Sequence, residues 1–244
     1  MKLKTAAAAL GLGLGMAVSA GTADAALVIS YQIGGGAATT CADGAACDFN
    51  TVEGAVSTFV TGAGYNFFIE TAQSYPAAGT QALPVLRMDV TGNTAPGEGD
   101  APTLTLMATQ TGFTTLGTTP FDLASTVNFP AIADNGATQA TATYSYYLDN
   151  GNAEFGTAQQ IGTEAFAYNG ILTSAQSSNQ LVSANPDGSF SLTSMLVLSG
   201  IDLGRGFSAN AVVSAVPEPA SLALLGMGLL GLGLTRRAGR RKTA

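Results

Sequence analysis

Histidine and tryptophan are absent from this 244-residue chain, cysteine occurs twice, and 10% of the residues carry charge. Without histidine there is no Ser-His-Asp or Cys-His catalysis, no His-ligated zinc and no imidazole titrating near neutral pH. Two cysteines are too few for a thiolate metal cage. Basic residues are scarcer than the total suggests, because seven of the nine Lys and Arg lie at the two ends. Between Ala26 and Val216 only Arg87 and Arg205 are basic against fourteen acids, a net charge of −12. Such a surface repels nucleic acid and anionic lipid.

The ends hold the apolar runs. Lys2 and Lys4 precede an uncharged stretch from Ala6 to Val18, and small residues follow up to Ala23-Asp24-Ala25. Thirteen residues are too few for a comfortable span, and Ala23 and Ala25 suit the small pockets of a signal peptidase. Residues 1–25 therefore read as a signal peptide cleaved after Ala25. At the other end stand Pro217-Glu218-Pro219, the uncharged run Ala220–Leu234, and the basic residues Arg236, Arg237, Arg240, Arg241 and Lys242. A helix over 220–235 is predicted, with proline admitted in its first turn. Its apolar run rises about 22 Å, short of the roughly 30 Å hydrocarbon core, as suits a transient anchor. The basic tail at 236–244 stays cytoplasmic under the positive-inside rule.

This order of motif, apolar helix and arginine cluster resembles the PEP-CTERM sorting signal, here over residues 217–244. The resemblance implies export through the inner membrane, a membrane-anchored intermediate, and processing near Pro217-Glu218-Pro219 by an exosortase, a membrane cysteine protease-transpeptidase. Proteins with such tails occur in Gram-negative bacteria that make exopolysaccharide. The expected destination is the cell surface or the medium, with exopolysaccharide a candidate partner. The same tail is also labelled an ice-binding-protein C-terminal domain, which by itself implies no ice binding. Gly226-Met227-Gly228-Leu229-Leu230-Gly231 inside the run satisfies G-x-G-x-x-G, but no strand leads into it and no ribose-binding acid can follow.

Residues 26–216 are left as one extracytoplasmic domain. Apolar residues alternate with polar ones at Leu27–Ile33, Leu104–Ala108, Ala142–Leu148 and Phe190–Leu198. Further strands are expected at 55–60, 65–71, 83–90 and 207–216. The dipeptides Asp43-Gly44, Asn135-Gly136, Asn150-Gly151, Asn169-Gly170 and Asp187-Gly188 supply turns. No segment sustains a helical apolar face, so the expected fold is all-β, an antiparallel sandwich or jelly-roll-like domain. The Gly/Pro-rich stretch Thr91–Pro102 reads as a surface loop and the best internal boundary.

Cys41 and Cys47 are expected to form a disulfide in an oxidising compartment, closing a short loop for about 2 kcal/mol. Asp43 with Asp48, and Glu98 with Asp100, are the calcium candidates, although neither stretch matches a calcium-loop pattern. No other cofactor is implied. Tyr144 and Tyr146 fall on the apolar face and Tyr147 points outward, where it could stack on a sugar. Thr103 with Thr105 and Thr141 with Thr143 form T-x-T pairs, read as ordinary strand exteriors. Arg87 beside Asp89 reads as a local ion pair, and Arg205 as a turn residue. The expected role is that of an exported, non-enzymatic structural or matrix protein. The alternatives are a calcium-dependent glycan-binding module and a secreted hydrolase working through paired carboxylates.

Overall fold

The computed structural model describes residues 26–114, 121–132, 140–168, 176–184, 186 and 188–216. The signal peptide, the sorting motif with its helix and basic tail, and the turns at Asn135-Gly136 and Asn169-Gly170 lie outside the described residues. Among those described there is no helix. The strands are β1 (Leu27–Ile33), β2 (Thr39–Ala42), β3 (Ala55–Gly62), β4 (Tyr65–Gln73), β5 (Val85–Thr94), β6 (Leu104–Thr114), β7 (Phe121–Ile132), β8 (Ala140–Asp149), β9 (Gln159–Tyr168), β10 (Gln176–Ala184), β11 (Ser189–Ser199) and β12 (Gly206–Val216).

Two six-stranded antiparallel sheets result. The first runs β2-β1-β6-β11-β8-β9 and the second β10-β7-β12-β5-β4-β3. From β5 onward the strands pair as nested couples: β5 with β12, β6 with β11, β7 with β10 and β8 with β9. Successive couples alternate between the sheets, so a long hairpin is rolled up in the order of a jelly roll. The hairpins β1-β2 and β3-β4 widen one side of each sheet.

The period-2 patterns point into the space between the sheets. On the first sheet Leu106, Leu196 and Tyr144 form one buried row, and Ile29, Ala108, Ser194 and Tyr146 the next. On the second, Ala72, Met88, Ala211 and Val127 face them. Tyr31 of β1 meets Phe67 of β4 edge to face at 5.9 Å, tying one sheet to the other. Burying these rows is the main stabilising term, at roughly 25 cal/mol per Å² of apolar surface.

The expectation of a loop from Thr91 needs correction, because Thr91–Thr94 continue β5. Gly92 suggests a loop in the sequence, but here it makes room. It lies in register with Phe67 and Phe207, whose rings close over it at 6.4 Å centroid to centroid. A β-carbon on Gly92 would overlap Phe67 Cβ. Nor is the following segment a boundary. Ala95 N–H donates to Gly64, and the carbonyls of Ala95, Gly99 and Ile201 accept from Gly204, Leu203 and Ala101. The Asn150-Gly151 turn also differs from expectation, since the left-handed residue there is Asn152, not the glycine. Its side chain explains the choice by accepting the Gly112 N–H at 2.7 Å.

Replacing Gly92 with valine is expected to destabilise the protein by about 1–3 kcal/mol, the usual penalty of forced overpacking. Urea denaturation measures it, and Gly35→Val, at an exposed position where an added β-carbon meets nothing within 4 Å, serves as the contrast.

Candidate functional site

The outward rows of the second sheet carry the most varied chemistry among the described residues. Phe59 of β3 and Phe68 of β4 are cross-strand partners, and Phe68 is in turn opposite Thr91, itself opposite Ser208. Phe59 is 55% exposed, unusual for an aromatic in a strand. Thr91 and Ser208 border a shallow depression of about 230 Å³, lined also by Glu70, Arg87, Asp89 and Asn210.

Three strand irregularities shape it. Glu70 is the extra residue of a bulge between Ile69 and Thr71, opposite Val90 and Asp89. The β3 partner shifts register at the same level, and the Ser57 hydroxyl donates to the Glu70 carbonyl at 2.7 Å. A third shift, opposite Ser208–Asn210 of β12, puts its extra residue on β7, while β12 stays in regular register with β5. Bulges re-aim side chains out of strict alternation, which is how a flat sheet face gains a hollow. Inside it Arg87 Nε lies 2.7 Å from Asp89, with the two side chains 44% and 15% exposed. Asn210 donates its side-chain N–H to the same carboxylate. The expected Arg87–Asp89 pair is therefore present, extended by an amide from the neighbouring strand.

Cys41 and Cys47 are bridged, with Cα atoms 5.9 Å apart. The neighbouring carboxylates serve backbone amides. Asp48 accepts from Gly44, Asn50 and Ser57, and Asp43 accepts from Gly54 at 2.6 Å. They pin the disulfide loop to β3. Glu98 and Asp100 are exposed in the 95–103 loop, where Asp100 bridges to Asp202 through the backbone. No group of three or more Cys, Asp or Glu side chains gathers in metal-binding proximity among the described residues.

Tyr144 and Tyr146 are buried in the core with ring centroids 4.5 Å apart. Tyr147 is half-buried on the outer face of the first sheet. On that face Thr105 and Thr143 are separated in register by Val197, so the T-x-T pairs make no continuous threonine rank. The Arg205 carbonyl accepts from the Thr94 N–H at 2.8 Å, and its N–H donates to the Thr94 hydroxyl at 2.9 Å, as a turn residue should.

Burial, then the neighbouring Tyr146 phenol, pushes Tyr144 well above the usual tyrosine range, while nearby Ser194 opposes weakly. Burial likewise raises Tyr146 against the influence of Ser125. Among the described residues neither phenol has a hydrogen-bond partner of standard geometry. Tyr65, whose hydroxyl donates to the Pro102 carbonyl at 2.6 Å, is pushed up to about 12 by burial.

Residues 215–241 match the PEP-CTERM protein-sorting motif. The match begins inside β12 and marks the chain as exported and sorted through an exosortase, by way of a membrane-anchored intermediate. No protein of curated function matches the chain. Solved structures give faint likenesses. An arabinose-bound MgGH51 α-L-arabinofuranosidase is 12% identical over 69% of this chain and 25% of its own, with a TM-score of 0.27. TmCBM61 in complex with β-1,4-galactotriose is 8% identical over 58% and 85%, with a TM-score of 0.27. An Arthrobacter globiformis T6 isomaltodextranase complexed with panose is 10% identical over 66% and 32%, with a TM-score of 0.24. The chain thus spans about a quarter of the arabinofuranosidase's length. Likenesses at this level carry no argument about ligand or activity.

Two outcomes follow from these placements. Residues 26–216 contain no Lys or His, and both cysteines are bridged, so tyrosine is the side chain that titrates there between pH 9 and 12. Phenols that hold their protons more tightly folded than unfolded stabilise the fold fully below pH 10. That contribution is lost as pH rises from 10 through the raised folded values, to about 12 for Tyr65. Denaturation midpoints should therefore be level up to pH 10 and fall above it, less steeply in Tyr144→Phe. Because Asp43 and Asp48 are engaged with amides, the thermal midpoint should be the same in millimolar calcium and in EDTA. A rise with calcium would overturn that assignment.

Proposed function

We propose that the protein is a structural component of the cell surface or extracellular matrix, delivered by its signal peptide and released from the membrane by exosortase cleavage near Pro217-Glu218-Pro219. The observation that carries this reading is the sorting motif joined to the end of β12, with no spacer between body and signal. The acidic body supports it, because a net charge of −12 keeps a secreted domain soluble and off anionic lipid. An exopolysaccharide layer is the proposed setting.

A non-catalytic role suits the hollow described above on the second sheet. Asp89 is engaged by Arg87 and Asn210, contacts that fix the carboxylate in place at the floor of a shallow, open depression.

Intact mass of the exported protein tests the proposal. The expected species starts at Ala26 and ends near Pro217, while cells lacking the exosortase should hold a heavier, membrane-bound form that keeps the basic tail. A full-length mass outside the cell would overturn the processing step.

A further inference from the structure

We propose that the outer face of the second sheet, from the Phe59–Phe68 pair to the hollow containing Arg87, Asp89 and Asn210, binds a neutral oligosaccharide. This rests on the geometry of that face and not on the export reading. Phe59 and Phe68 share one rung, and the rung continues through Thr91 and Ser208 to the rim of the hollow. An apolar platform therefore runs into a polar depression along one straight line of cross-strand neighbours.

The ligand class follows from what each end can recognise. Aromatic rings present flat apolar area, which matches the C–H faces of a sugar ring. A sugar hydroxyl both donates and accepts, so it needs partners of both kinds side by side. The hollow supplies them: the Asp89 carboxylate accepts, while the Arg87 guanidinium and the Asn210 amide donate. Their mutual contacts already fix these groups, so little rotamer freedom remains to be lost on binding.

Charge narrows the choice. A polyanion would approach a body of net charge −12, with Glu70 among the residues lining the hollow. A cation would find Asp89 already neutralised by Arg87. An apolar protein partner would have to strip water from that ion pair without replacing its hydrogen bonds, which is costly. A neutral polyol avoids all three penalties.

Affinity electrophoresis of the full-length chain in mild detergent tests the proposal, using gels that contain dextran, galactomannan or β-glucan, with alginate as the anionic comparison. At least one neutral polysaccharide should retard migration. Phe68→Ala and Asn210→Ala should each weaken that retardation tenfold or more, while Tyr147→Ala on the opposite sheet should leave it unchanged. Phe68→Leu keeps the bulk but not the ring and should also weaken it, so a poorly folding alanine variant does not shield the idea. The proposal is overturned by free migration in all three neutral gels, by retention in alginate alone, or by equal retardation of the Phe68 variants. It also fails if Tyr147→Ala is the change that matters, or if ultracentrifugation shows self-association that Phe59→Ser abolishes. None of these failures touches the intact-mass result, so the two readings fall separately.

Discussion

The fold depends on the burial of two facing sets of alternate side chains, and nearly everything else about the body follows from it. Tyr144 and Tyr146 reach across from the first sheet toward a second sheet whose facing rows include small Ala72 and Ala211. Large residues on one side and small ones on the other let the layers close without helices. With so few charges, no lysine and no histidine in the body, hardly any polar pairing competes with this apolar seam. The phenols then bear the cost of burial, as their raised proton affinities record.

Alternation made much of this legible. β1, β6, β8 and β11 are recognisable in the chain because each offers apolar residues on one face and Ser or Thr on the other, and their registers join them as the four central neighbours of one sheet. β7, β9 and β10 were harder to see. β7 contains Pro130 and a Ser/Thr/Asn mixture, β9 contains Gly162 and Glu164, and β10 is Ser/Gln-rich with only Leu181 and Val182 as large apolar residues. Gly92 misled for a physical reason, since a residue chosen to admit two flanking rings looks in sequence like one chosen to bend the chain.

The hollow on the second sheet was half visible. Arg87 and Asp89 stand two apart on one strand, and a period of two places them on one face. Phe68 occupies a position that the pattern of Tyr65, Phe67 and Ile69 assigns to solvent, and an outward aromatic was a signal available without coordinates. Glu70 and Asn210 could not be found that way. Their places depend on bulges and on which strand lies beside which, and neither is written in local sequence.

The position of β12 has a temporal meaning. It is the last strand of the body and lies in the middle of the second sheet, hydrogen-bonded to β5 on one side and β7 on the other. A chain threaded across a membrane from its amino terminus delivers that strand last. Until it arrives, β10-β7 and β5-β4-β3 are two ribbons with a gap between them, each with an open edge. The sequence immediately following the gap-filling strand is the sorting signal, so the second sheet lacks its joining strand until the chain has been threaded almost to that signal.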